Sequence, residues 1–295
     1  MAPRPFRFGL NIIPSGTRSD LQNLSKMAED LGYDIITVSD YITLELPPVG
    51  IKEWTTFPPA LALSLIAEAT SSVRIGTYSL NASLYNPALL AREAIALQQL
   101  SGDRLELGLG AGYLRADFEA ANIAWADAAE RIGRLESLVG EFRRLMRGTV
   151  PPILLGSSTH EGLYKLAATE ADIVSTTGAE SKMEFSQAKL INSTRLGEIC
   201  QFVRATAGDR IDDIEMNILV HALNLTDRPD APVPDFPNVE TPSPAELHAL
   251  PGILHGSPAS IAEDLHRYRE TYGFSYYTIR IPNMADFAKV ISILG

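Results

Sequence analysis

Segments of strand character and segments of helix character alternate along the whole 295-residue chain, and this alternation limits the fold more than any other feature. "FRFGLNII" (Phe6–Ile13) is a compact apolar run of strand length. "SDLQNLSKMAEDLG" follows with a helical pattern, Ser19 and Gln22 at capping-box spacing and Gly32 as a stop. "DIITVSD" (Asp34–Asp40) reads as the second strand, "PALALSLIAEATS" as a helix, and "VRIGTYSLN" (Val73–Asn81) as the third strand. Asn86 then caps a helix with Pro87 in its first position, running to Leu100 and stopping near Gly102. "RLELGLGAGY" (Arg104–Tyr113), "PILLG" (Pro152–Gly156), "DIVST" (Asp172–Thr176), "IEMNILVHA" (Ile214–Ala222) and "YYTIR" (Tyr276–Arg280) bring the strands to eight. Polar alternation is weak in most of them, as in strands buried on both faces. Eight βα units without a break predict one α/β domain over residues 1–295, a (β/α)8 TIM barrel.

Glycines alternate at Gly108, Gly110 and Gly112. A dinucleotide fingerprint would need its third glycine at Tyr113 or Arg115, and it belongs to a first βα turn, so the stretch is not read as one. The net charge of −11 argues against nucleic acid or an anionic membrane surface as a general partner. Cys200 is the only cysteine, which excludes an internal disulfide and a cysteine-built metal site and fits a reducing, cytoplasmic setting. The N-terminus shows no signal-peptide pattern, and no stretch approaches the roughly 18 apolar residues of a membrane span. His, Asp and Glu show no metal-ligand spacing, and no Ser/His/Asp order suggests a hydrolase.

Two loops depart from a plain barrel. The one from Ser39 to Pro58 is long and follows a strand, where barrels build sites. "RPDAPVPDFPNVETPSP" carries six prolines between Pro229 and Pro244 and reads as an extended loop, either a site element or a plain connector.

"AEDLGYDIITVSDY", "VRIGTYSLNASLYNPALLAREAIALQQLSGDRLELGLGAGY" and "PPILLGSSTHEGLYKLAATEADIV" resemble the luciferase-like monooxygenase superfamily, most closely its branch that uses deazaflavin coenzyme F420. "GDRIDDIEMNILVHAL" and "ETYGFSYYTI" resemble the C-terminal part of the same branch. The resemblance implies a barrel with F420 or FMN lying across the C-terminal end of the strands, and a homodimer.

It also implies site residues. Asp40 stands where the family commonly has an acidic residue near the ring, with Tyr41 in place of a following His. Tyr41 keeps a hydrogen-bonding phenol, but with an ordinary pKa near ~10 it is a poor proton shuttle. Tyr78–Ser79 is the position of a non-proline cis peptide, and Asn81 faces the ring's polar edge. Gly110 and Gly112 leave space for the ring, while Gly108 relieves crowding inside the barrel. Gly156, Ser157 and Ser158, then Thr176, Thr177 and Gly178, are the two turns that hold the cofactor phosphate, or else ordinary helix caps. Some deazaflavin enzymes have a lysine after the second turn, where this chain has Ala179. Tyr113, which lines the cofactor cleft with Gly110 and Gly112, replaces a glutamate proton donor, which argues against sugar-phosphate dehydrogenation.

His221, near the end of the seventh strand, is the best titratable candidate for proton transfer, with a satisfied core histidine as its alternative reading and Tyr41 as the other candidate proton relay. His160 and His255 receive no role. "FRRLMRGTVPPILLG" passes almost directly from helix to strand where family members carry an insertion, which implies a more open site or a lost cofactor wall. The expectation is hydride transfer between F420 and a C=C, C=N or carbonyl group of an organic, bulky substrate. The rivals are an FMN-dependent monooxygenase and a degenerate barrel that binds a ligand or partner without turnover.

Overall fold

The computed structural model describes residues 4–43, 55–157, 160–180, 188–228, 239–240, 246 and 249–295. Its strands are β1 (Arg7–Ile12), β2 (Ile35–Val38), β3 (Arg74–Thr77), β4 (Leu80–Asn81), β5 (Leu105–Gly110), β6 (Ile153–Ser157) and β7 (Ile173–Thr176), then β8 (Ala179–Glu180), β9 (Ala188–Leu190), β10 (Glu215–Leu219), β11 (Ala222–Leu225), β12 (Val239–Glu240), β13 (Ile253–Gly256) and β14 (Phe274–Arg280). The helices are α1 (Arg18–Asp30), α2 (Pro59–Ala69), α3 (Pro87–Ser101), α4 (Arg115–Ala120), α5 (Ala128–Leu145), α6 (Glu161–Glu170), α7 (Ser193–Ala207), α8 (Pro258–Tyr272) and α9 (Met284–Leu294).

One nine-stranded sheet runs in the order β3-β2-β1-β14-β10-β7-β6-β5-β4, and a further pairing of β3 with β5 closes it. The fold is a (β/α)8 barrel, and all eight strands read from the sequence are in it. Strands β2 and β5 are buried along their whole length, which explains their weak polar alternation.

The chain comprises two compact units, whose boundaries fall inside β1 and inside β6. Unit 2 holds residues 11–30 and 34–154. In it α1 packs on α2, α2 on α3 and α3 on α5, with Leu63, Ile66, Leu97, Leu107, Leu138 and Phe142 buried. Arg104 pins the amino end of β5 by donating to the carbonyls of Ala67, Thr70, Val73 and Ser101. Unit 1 holds residues 1–10, 31–33 and 155–295. There α6 packs on α7 and α8 on α9, and Tyr33 donates to the carbonyl of Met284. A polar cluster sits in the unit's core. Asn217 accepts from Ser175 at 2.7 Å and donates to Thr278 at 2.9 Å and to the carbonyl of Tyr276 at 3.2 Å.

Local sequence explains most helix ends. The Asn86 side chain accepts from the amides of Ala88 and Leu89, Pro87 takes the first position of α3, and Gly102 ends it in the left-handed region at φ 66°. The start of α1 differs from expectation. Thr17 and Asp20, not Ser19 and Gln22, form the reciprocal cap, and Gln22 donates to Glu68 instead. Between α5 and β6 lie only residues 146–152, so the chain does pass directly from helix to strand. Residues 44–54 of the loop after β2, and the proline-rich segment apart from 239–240, lie outside the described residues.

Candidate active site

In unit 2 the carboxyl ends of β2, β3 and β5 carry the predicted residues. Asp40 follows β2, and its Oδ2 accepts from the Asn81 amide at 3.2 Å and from the Tyr85 hydroxyl at 3.1 Å. Burial pushes its carboxyl up to about 6; the two hydrogen bonds pull it down, and the nearby Asp117 charge adds to the rise. Burial and the same carboxylate push the Tyr85 phenol well above its ordinary range. Tyr85 also lines a groove of about 640 Å3 beside α5, with Ser83, Glu130, Arg134 and Glu141.

The peptide bond Tyr78–Ser79 is cis, at the position the resemblance implies. Beneath it Ser39 donates to the Tyr78 carbonyl at 3.4 Å, and Asn11 joins Ser39 to Thr37 through its carboxamide. Asn81 pairs with Gly110 in the β4–β5 ladder and caps the turn at 82–84 through the Ser83 amide.

The glycines of β5 are explained by this packing. A Cβ on Gly108 would run into the Thr77 carbonyl, one on Gly110 would come within 2.7 Å of the Ser79 hydroxyl, and one on Gly112 would overlap the Asn81 carboxamide. Close approach of the Thr77 backbone requires glycine at 108, while the Ser79 and Asn81 side chains crowd positions 110 and 112. Gly112 also has a φ of 76°, which side chains rarely adopt.

Tyr41 and Tyr113 are brought together, with hydroxyls 2.8 Å apart and rings edge to face. Two residues that the sequence reading missed hold this pair. Asp117 of α4, 2% exposed, accepts from the amides of Ile42 and Thr43 and from the Thr43 hydroxyl, all through Oδ1. Arg131 of α5 lies over the Trp125 ring at 4.1 Å and donates to the Gly112 carbonyl at 3.1 Å. The signal for Asp117 was present: an acidic residue in the first turn of a short helix directly behind a strand exit.

In unit 1, β6 ends at Gly156 and Ser157; of Ser157 only its place in the strand is described, and Ser158 lies outside the described residues. A Cβ on Gly156 would come within 2.8 Å of Ser175, so this glycine serves the β6–β7 approach. The next helix, α6, begins after His160, whose side chain makes no capping bond. A helix N-terminus is in general a favourable place for an anion.

The turn after β7 is different. The Thr176 hydroxyl accepts from the Gly178 amide at 3.0 Å and from Tyr164 at 2.7 Å, and the Thr177 hydroxyl bonds within the turn to Ala179. These groups are engaged in capping their own turn, the alternative already open for them.

His221 props that turn. Its Nε2 lies 2.6 Å from the Thr177 carbonyl, so that nitrogen carries the hydrogen. Burial, with Arg280 nearby, pushes the ring down to about 4, so it is neutral at pH 7. Its buried Nδ1 makes no hydrogen bond. His255 accepts from Asn224 at 2.9 Å across the β11–β13 pair, and His160 is exposed. Among the described residues no cluster of His, Cys, Asp and Glu has the arrangement of a metal site, and no helix is long and apolar enough to cross a membrane.

Comparison with known proteins adds to this geometry. Residues 5–188 match the family model described as luciferase-like monooxygenase. The F420-dependent glucose-6-phosphate dehydrogenase of Amycolatopsis mediterranei is 32% identical over 128 residues, 43% of this chain and 37% of that protein. The 4-hydroxyprotoasukamycin monooxygenase of Streptomyces nodosus subsp. asukaensis is 30% identical over 129 residues, 43% of this chain and 32% of that protein. The matches thus span about a third of the length of these curated relatives. An F420-dependent secondary alcohol dehydrogenase, solved with an F420–acetone adduct, has the same fold with a TM-score of 0.72 at 16% identity, over 99% of this chain and 100% of that one.

Proposed function

The chain belongs to the luciferase-like monooxygenase family, and from that membership we propose that it is an F420-dependent oxidoreductase, moving a hydride between the deazaflavin and a C=C, C=N or carbonyl group of an organic substrate. The observation that carries this reading is the constellation after β2 and β3: the Asp40 carboxyl at a strand's carboxyl end, held by the Asn81 amide and the Tyr85 hydroxyl.

In this reading an anionic cofactor with a planar ring would lie at the carboxyl ends of the strands. Asp40, Tyr78, Ser79 and Asn81 would position the ring. Gly156, Ser157 and Ser158, with the amides at the start of α6, would take the phosphate, as the N-terminus of a helix can. Thr176, Thr177 and Gly178 would supply shape and, from the Thr176 hydroxyl, a donor, since only the Thr177 hydroxyl donates within its own turn. Bound F420 would supply the hydride, and the protein would supply orientation and a proton. Tyr41 and Tyr113 would flank the substrate as hydrogen-bonding phenols. The direct passage from α5 to β6 supports a bulky substrate, because it leaves out a wall that the family commonly has.

A second reading, FMN-dependent monooxygenation, is supported by the similarity to 4-hydroxyprotoasukamycin monooxygenase. Titration of the purified protein with F420 and with FMN, followed by absorbance and fluorescence, separates the two. A saturable response to F420 alone is expected. A response to FMN alone would replace the proposal with the second reading. No response to either at millimolar concentration, with the fold intact by circular dichroism, would overturn both and leave a barrel without turnover.

A further inference from the structure

Asp40 is held asymmetrically. Both of its hydrogen bonds, from the Asn81 amide and from the Tyr85 hydroxyl, fall on Oδ2. A proton placed on that oxygen would point at two donors. The charged and titratable neighbours come from three elements: Tyr85 in the turn before α3, Asp117 in α4, and Glu93 in α3, which acts on Tyr85. Among the described residues no cation bonds to Asp40, so only two neutral donors support its charged form.

Tyr85 is fixed by local structure rather than by the carboxyl. It ends the turn at 82–84, its amide donating to the Ala82 carbonyl, and the Asn86 cap of α3 follows it directly. The phenol is thus presented to Asp40 by two capped elements, one on each side of it in sequence.

We propose that Tyr85 is a positioning residue that occupies Oδ2 of Asp40 and so makes Oδ1 the oxygen that carries a transferable proton. For the protein alone this is a statement about one carboxyl group. Its use in catalysis rests on the function proposed above. In the reduction of a C=X group, reduced deazaflavin when bound would supply the hydride to the carbon and be oxidised. X would take the proton from Oδ1 of Asp40, and solvent would reprotonate the carboxylate left behind. Tyr85 keeps its own proton throughout and acts only through Asp40.

The test follows the Asp40 carboxyl directly, in protein labelled with carbon-13 at the aspartate carboxyl carbons. A resonance titrating near pH 6 that disappears in Asp40→Asn is assigned to Asp40. Tyr85→Phe keeps the ring and removes one donor to the charged form, so the midpoint is expected to rise by about one pH unit. Replacing tyrosine with 3-fluorotyrosine makes the phenol a stronger donor and is expected to move the midpoint down, which tests the same bond should Tyr85→Phe fail to fold. A midpoint unmoved in the folded variant overturns the proposal. F420 titration of the same samples keeps the two readings apart. The carboxyl shift without F420 binding defeats the F420 reading and leaves the Tyr85–Asp40 pair standing. F420 binding without the shift does the reverse.

Discussion

The hydroxyls of Tyr41 and Tyr113 lie 2.8 Å apart, and the main chain beside each is tied down by a buried or half-buried charged residue. Asp117 gathers the amides just after Tyr41, and Arg131 takes the carbonyl just before Tyr113. Two loops that leave different strands therefore meet as one piece. A double-mutant cycle with Tyr41→Phe and Tyr113→Phe, read by urea denaturation, is expected to give a coupling of about 0.5–1 kcal/mol, at the low end for a hydrogen bond because Tyr113 is half exposed. Strictly additive single effects would show that the bond is not maintained in solution.

Asp117 does more for this assembly than either phenol. Asp117→Ala leaves three donors without their acceptor and is expected to lower stability by about 1–3 kcal/mol. It should also raise protease sensitivity in the segment following β2. Asp117→Asn retains an acceptor and should lose less. Equal losses in the two variants would count against the hydrogen-bond account.

Asp40 predicts a pH effect of definite sign. Its folded value of about 6 lies above the ordinary 3.8, so the folded protein binds more protons than the unfolded chain between these values. The stability that this provides is complete below about pH 3.8 and is lost as pH rises through about 6. Asp40→Asn should therefore melt higher than the parent at pH 8, by a margin of about 1–3 kcal/mol, and the margin should shrink towards pH 4. Thermal scans across this range check it, and a margin independent of pH would refute it.

His221 works in the opposite direction. Its folded value of about 4 lies below the ordinary 6.5, so the folded state binds fewer protons. Its contribution is complete above about pH 6.5 and is lost as pH falls from there through about 4. His221→Gln should remove about 2–3 kcal/mol of acid sensitivity in that interval. Histidine NMR showing a His221 ring that titrates near its ordinary value would contradict the buried, neutral prop for Thr177.

Two glycines give a matched contrast. Gly108→Ala drives a Cβ into the backbone carbonyl of Thr77, which cannot turn away, and is expected to cost more than about 3 kcal/mol or prevent folding. Gly140, inside α5, has open space at that position, and Gly140→Ala is expected to stabilise by about 0.5–1 kcal/mol. Chemical denaturation of both variants measures the difference.

The eight strands were legible because apolar runs of strand length are bounded by helical patterns, and the Asn86–Pro87 start of α3 because cap and proline occur together. The start of α1 was not, because Thr17–Asp20 and Ser19–Gln22 are overlapping candidates two residues apart, and only backbone geometry decides which residue leaves the helix. A glycine in sequence announces a close approach without naming what approaches; here the neighbours of Gly110 and Gly112 are Ser79 and Asn81. Asp40 was readable as a strand-end acid, but its dependence on Tyr85 spans 45 positions and has no local signature. The same holds for Asn11 and Asn217, polar residues in apolar strands whose partners lie on other strands.

Asn217 is the sharpest of these. Its carboxamide gives and receives hydrogen bonds with residues of β7 and β14 at once, so making Ser175, Asn217 or Thr278 apolar alone removes a bond inside a buried cluster. The cost of changing one of the three positions is therefore expected to depend on the other two. In a library built on this barrel they belong in one combined set, and randomising them one at a time would miss the combinations that compensate.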